Sequence, residues 1–159
     1  MEERAPIGAK CDTGGQIVSL FSAMSVSSSG MSAQRTRAEL LVENMANSET
    51  TRTPEGGPYR RKDAIFTTSE ETSPFSAVFQ SETSTGVAVA GVVRDEREPE
   101  RRYLPGHPDA GPDGYVAFPR VNPAEDMVDL MSASRGYQAN IAAMSAVKDM
   151  VLHSIDLLR

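Results

Sequence analysis

The 159-residue chain has one cysteine, two histidines and no tryptophan. A lone Cys11 excludes an internal disulfide and a cysteine-cluster metal site. His107 and His153 are too few for a histidine-rich one. Apolar residues make up 39% and aromatics 6%, below the ~45–50% (glycine included) usual for globular domains, so a generous core is not foreseen. Basic charge is short as well: 16 Lys and Arg face 22 Asp and Glu, a net charge of −6. That balance argues against a nucleic-acid clamp and against docking on an anionic membrane. No apolar run approaches the ~20 residues of a membrane helix. The first fifteen residues are polar, with Glu2 and Glu3 where a cleaved leader carries basic residues. If the protein leaves the cytoplasm, the expected route uses no such leader.

What is present is helical periodicity at both ends. From Ile17 to about Asn47 apolar residues recur at 4,3 spacing through Ile17, Phe21, Met24, Ser28, Met31, Arg35, Ala38, Val42 and Met45. A parallel track runs through Leu20, Met24, Ser27, Met31, Gln34, Ala38, Leu41 and Met45. Both have the narrow seam of a coiled coil. Gly30 and the serines of 25–29 weaken the first half of this helix. At the other end Asn122 is a good N-cap, Pro123 suits the first helical position, and Glu125 sits at the third. The seam that follows reads Met127, Leu130, Ser134, Tyr137, Ile141, Met144, Lys148, Val151, Ile155 and Leu158. Both helices are far longer than the ~11–12 residues of an average one.

Between them, residues 51–121 hold 8 of the 10 prolines and 7 of the 12 glycines. Short β-type runs are expected at Tyr59–Thr67, Phe75–Phe79, Gly86–Arg94, Arg102–Leu104 and Gly114–Phe118, divided by Pro/Gly turns. The fold class is therefore α+β: long terminal helices forming a coiled-coil-like α domain, with a small irregular β region inserted. Residues 1–17 read as a tail, 18–50 as the first helix and its exit, 51–121 as the β insert and 122–159 as the last helix.

Seams interrupted by Ser27, Ser28, Gln34 and Arg35 and rich in adaptable methionine are poorly served by one partner helix. One reading is that the helices are loosely ordered in the free chain and become fixed on assembly. The other is an intramolecular helical hairpin with a β cap. No convergent acid, base, nucleophile or metal cluster suggests catalysis. The stretch 109–114 has two aspartates but lacks the alternating oxygen ligands of a calcium loop and reads as a turn. His107 reads as a loop residue with a local hydrogen bond. Arg60–Lys62 reads as a solvated strand face, and Arg94–Arg102 as a solvated connection.

Three segments carry a resemblance. Residues 43–51 read Glu-Asn-Met-Ala-Asn-Ser-Glu-Thr-Thr, followed by Pro-Glu-Gly-Gly-Pro-Tyr-Arg-Arg-Lys at 54–62. Residues 103–116 read Tyr-Leu-Pro-Gly-His-Pro-Asp-Ala-Gly-Pro-Asp-Gly-Tyr-Val, and 131–140 read Met-Ser-Ala-Ser-Arg-Gly-Tyr-Gln-Ala-Asn. In this order they resemble the flagellar rod and hook axial proteins, and among those the proximal rod. The resemblance runs from about Ser19 to Arg159. It implies a structural, non-enzymatic subunit of the basal-body rod, exported unfolded without a cleaved signal and assembled in the periplasm into a torque-transmitting tube. The implied partners are further copies in a helical assembly, the rod proteins FlgB, FlgF and FlgG, and the base adaptor FliE. No cofactor, metal, nucleic acid or membrane span is implied.

The residues expected at the assembly interface are Met24, Met31, Asn44, Ala46, Asn47, Met127, Leu130, Tyr137, Gln138, Asn140, Ile141, Met144, Val151 and Ile155. Asn44 and Asn47 are short amides at a helix exit, suited to bonding free backbone groups or to a left-handed turn. Asn47 as a plain helix stop is the simpler reading. Gly136 would admit a neighbouring backbone, and Tyr137 and Gln138 would meet another helix of this or the next chain. Family members usually begin near Ser19, so residues 1–17 are extra. They are either a genuine export or docking tail, or the product of a start assigned upstream of a GTG codon at Val18. The alternative to a rod subunit is a soluble export adaptor or peptide-binding module using an exposed strand edge of the β region.

Overall fold

In a computed structural model, residues 13–70 and 85–157 are described. Two 34-residue helices, α1 (Thr13–Ala46) and α2 (Pro123–Asp156), enclose four strands: β1 (Lys62–Glu70), β2 (Thr85–Arg94), β3 (Glu100–Tyr103) and β4 (Tyr115–Phe118). At ~1.5 Å per residue each helix is about 50 Å long. Four of the five expected strand runs coincide with these strands within a few residues; Phe75–Phe79 lies outside the described residues. α1 also takes in Thr13–Ile17, assigned above to the tail.

α2 starts as its sequence dictates. Asn122 Oδ1 accepts from Ala124 N–H at 3.2 Å, Pro123 follows, and Glu125 and Asp126 place negative charge in the first turn, where the helix dipole favours it. α1 accommodates its serines in two ways. Ser27 and Thr36 donate to the carbonyls of Ala23 and Ser32, one turn back, which removes their competition with the helix. Ser29 donates to Val26 O at 2.8 Å and accepts from Val87 N–H at 3.0 Å, clasping β2 to α1. Gly86 suits this close approach, because a Cβ would stand 2.9 Å from Ser29 Oγ.

The strands form two antiparallel pairs, β1–β2 and β3–β4. A bulge falls at Ile65/Phe66, where Gly91 and Val89 are the successive partners. Such ribbons are marginal in water when alone, and this one leaves Ile65, Phe66, Val87, Val92 and Val93 exposed. In the second pair Val116 is buried while all of β3 is exposed.

The helix exit ties the α and β parts together. Asn44 is fully buried. Its Nδ2 donates to Lys62 O at 2.8 Å, and its Oδ1 accepts from Lys62 N–H and from Tyr59 O–H, each at 2.9 Å. One side chain thus replaces a neighbouring strand at the point where β1 begins. Burial, with Glu43 nearby, pushes the Tyr59 phenol up to about 12, so it stays a neutral donor. One turn later Asn47 ends α1: its Nδ2 donates to Glu43 O at 2.9 Å and its Oδ1 accepts from Thr50.

The helices pair antiparallel within the chain, as the hairpin reading has it, through part of the second α1 track but not through the expected line on α2. Gly30 lies against Asn140, Gln34 against Gly136, and Arg37 Nη2 is 3.4 Å from Asp129 Oδ1. The buried positions of α2 are Asp126, Ala133 and Val147. With half-buried Asn140 they make a strict heptad, one residue before the expected Met127, Ser134, Ile141 and Lys148. On α1 the first expected track has no buried member among its described side chains, and Val42 is exposed; of the second track, Leu41 is buried. Gly30 and Gly136 leave room for the Asn140 and Gln34 amides in the contact, and Met127 and Ile141 lie on the flank. The line that α2 turns to α1 is thus made of small and polar residues together with Val147.

Replacing Asn44 by alanine strands Lys62 N–H, Lys62 C=O and the Tyr59 hydroxyl, and should cost about 3 kcal/mol. Urea unfolding of the purified chain measures this, and a loss under 1 kcal/mol contradicts the role given to Asn44.

Candidate assembly interface

The one-residue offset decides what α2 offers to its surroundings. Met127 is 58% exposed, Met131 51% and Ile155 57%, and Tyr137, Ile141 and Leu152 are exposed as well. At 100° per residue these six fall on one flank of α2, beside the face that meets α1. Leu130 is half-buried within that flank, and Met144 and Val151, about five turns on from Asp126 and Ala133, are half-buried on the face that meets α1. Met24 and Met31 of α1 are half-buried, and Ala46 and Gln138 are exposed. Asn44 and Asn47 spend their amides inside the chain, and half-buried Asn140 packs on Gly30. The structure thus brings Met127, Tyr137, Ile141 and Ile155 to one outward stripe and turns Asn44 inward. Gly136 admits the Gln34 side chain of the same chain, where a neighbouring backbone was expected.

Beside this stripe the N-terminus of α2 is held by charge. Asp126 is fully buried, and Arg61 Nη1 approaches its Oδ1 to 2.9 Å. Arg61 Nε also reaches Asp63 Oδ1 at 3.1 Å. Burial raises the Asp126 carboxyl above its ordinary range, against the opposing pull of Arg61. The segment 60–62 is therefore not a purely solvated face: Arg60 is exposed, whereas Arg61 and Lys62 bind Asp126 and Glu43. Sequence reasoning missed Arg61, Tyr59 and Asp126 because no local pattern links residues 61 and 126. The heptads Gly30–Arg37–Asn44 and Asp126–Ala133–Asn140–Val147 were available signals, hidden because their members are small or polar.

The turn expected at 109–114 is present. Gly111 N–H donates to Tyr115 O, Gly114 N–H to Gly111 O, and Gly114 has φ +74°. Asp109 Oδ2 accepts from Thr51 at 2.8 Å, tying this loop to the exit of α1. His107 Nδ1 accepts from Asp109 N–H at 3.1 Å, the local bond expected of it. Among the described residues no group of three His, Cys, Asp or Glu side chains is placed to hold a metal, and no helix is long and apolar enough to cross a membrane.

Residues 113–157 match the family described as flagellar basal body rod FlgEFG protein C-terminal, so the recognised region begins in the β4 turn and takes in α2. A flagellar basal-body rod protein FlgC of Borreliella burgdorferi is 38% identical, the match covering 88% of this chain and 98% of that protein. The chain belongs to the FlgC family of flagellar basal-body rod proteins. FlgC proteins of Bacillus subtilis strain 168 (37% identical, 86% and 97% covered) and Salmonella typhimurium strain LT2 (35%, 88% and 98%) agree. The FlgC assignment makes the protein a structural subunit of the flagellar basal-body rod and not an enzyme. The export-adaptor alternative has no support among these relatives.

An Arg61→Met variant leaves Asp126 buried without its cation, at a cost of about 3–5 kcal/mol near neutral pH. A carboxyl whose folded-state pKa is raised destabilises the fold as pH climbs from its unfolded value, ~3.9, through the folded one. The variant's deficit should therefore shrink as pH is lowered from 7 to 4, when Asp126 takes a proton. Urea midpoints at the two pH values test this; an equal deficit at both contradicts it.

Proposed function

We propose that this chain is a subunit of the proximal rod and that the outward stripe of α2 is its main assembly surface. The observation that carries the reading is the stripe itself: Met127, Met131, Tyr137, Ile141, Leu152 and Ile155 lie exposed along one flank of a long helix. Contiguous exposed apolar surface of this kind marks an interaction site. Half-buried Leu130, within the stripe, would be covered by the same neighbour. Met24, Met31 and Val42 add a smaller apolar surface on the side of α1 away from β2.

The mechanism is mechanical. Copies related by a heterologous contact propagate a helix where a two-fold contact would close a dimer. Each added neighbour covers stripe residues that one chain leaves wet, at ~25 cal/mol per Å² of apolar surface removed from water. Covering the stripe stiffens the long helices and lets the tube carry torque. On this reading the neighbours are further copies together with FlgB, FlgF, FlgG and FliE, and the tube stands in the periplasm.

Ile141→Asp and Met127→Asp place charge on the stripe and leave the α1–α2 contact alone. Each should abolish swarming and incorporation into purified basal bodies, while the urea midpoint of the free chain moves by no more than the equivalent of ~0.5 kcal/mol. Normal swarming by both variants overturns the proposal.

A further inference from the structure

We propose that two opposed glycine–amide contacts, Asn140 on Gly30 and Gln34 on Gly136, set the stagger of α1 against α2. A Cβ on Gly30 would stand 2.9 Å from Asn140 Nδ2 and 3.4 Å from its Cγ; one on Gly136 would stand 3.3 Å from Gln34 Cδ and 3.5 Å from its Cγ. Each helix contributes one glycine and one amide, four residues apart, so the contacts are reciprocal and one turn apart. Sliding α2 by a turn in one direction sets Gly30 against Gly136 and opens a void. Sliding it the other way sets Gln34 against Asn140 and Gly30 against Met144. Only the observed stagger places both amides on glycines, and the Arg37–Asp129 ion pair forms at that same stagger.

The seam accepts a polar group at a cost. Gln34 Oε1 is buried and makes no hydrogen bond, where an apolar residue of similar size would be cheaper to bury. A polar residue in a helix seam that lowers stability and fixes register is a known device of helical pairs. Its consequence here is positional. The stagger decides which residues of α1 each stretch of the α2 stripe stands beside, and so sets how Met127, Met131, Tyr137 and Ile141 are placed along the helix pair. That consequence rests on the assembly reading above; the stagger does not.

The test uses the full free chain with Cys11→Ser and nitroxides on cysteines at the exposed positions 35 and 135. Pulsed electron resonance then gives the inter-helix distance. The parent should show one narrow distribution. Gly30→Ala should shift or broaden it, with a smaller effect from Gly136→Ala, whose opposing Gln34 is longer and yields more readily. Adding Asn140→Ala to Gly30→Ala should restore the parent distribution. Gln34→Leu should broaden the distribution with an equal or higher urea midpoint, which keeps the test decisive if Gly30→Ala does not fold. A broad parent distribution, an unchanged one in Gly30→Ala, no restoration by the second substitution, or a narrow one in Gln34→Leu overturns the proposal. None of these readouts involves assembly, whereas swarming of Ile141→Asp reports on assembly alone.

Discussion

The close approach of two long helices is the constraint from which the rest follows. Where Gly30 and Gly136 lie in the contact, a Cβ on either would press on the amide it receives. Alanine and short polar residues fill the remaining inward positions of α2, and valine closes the line at Val147. Met127 and Ile141 stand one position around the helix from that line. The chain therefore joins its two helices through a seam that contributes modest hydrophobic stabilisation, and keeps its methionine, isoleucine and tyrosine surface on the outside. In an isolated globular domain that distribution would be inverted. In a subunit whose neighbours cover that surface, as proposed above, it is what assembly requires.

Polar interactions compensate locally for the weak seam. Asn44 substitutes for a strand at the start of β1, and Arg61 draws the first turn of α2 against the same strand through Asp126. The α1 exit, β1 and the α2 start are thereby fixed to one another by groups buried enough to escape screening. The β1–β2 ribbon beyond this junction is held less firmly. Ser29 clasps it at Val87, and a hydroxyl-lined groove of about 380 Å³ separates it from α1 nearby. Rigidity is concentrated at the junction, and the exposed apolar faces of the ribbon and of α2 extend from it in a single chain.

Much of this was legible in the sequence. The Asn122–Pro123 cap, the long α2 and four of the strands follow from local chemistry that the structure reproduces. The facing of the helices was less accessible. Counting large apolar residues at 3,4 spacing finds a true stripe, but it cannot tell whether that stripe faces the same chain or the next. The residues of α2 that meet α1 form the heptad one residue earlier, whose mostly small and polar members carry little hydrophobic signal. The roles of Asn44 and Asp126 were hidden for a different reason. Each depends on a partner 18 or 65 positions away, and nothing in a one-dimensional pattern joins them.

The central claim is that the large apolar flank of α2 is wet in the free chain and dry in the rod. Hydroxyl-radical footprinting of Met127, Met131, Tyr137 and Ile141, comparing purified chain with isolated basal bodies, tests it most directly. The account predicts rapid modification of all four in the free chain, with Asn44-linked Tyr59 protected, and strong protection of the four after assembly. Slow modification in the free chain, or equal modification in both states, would contradict it.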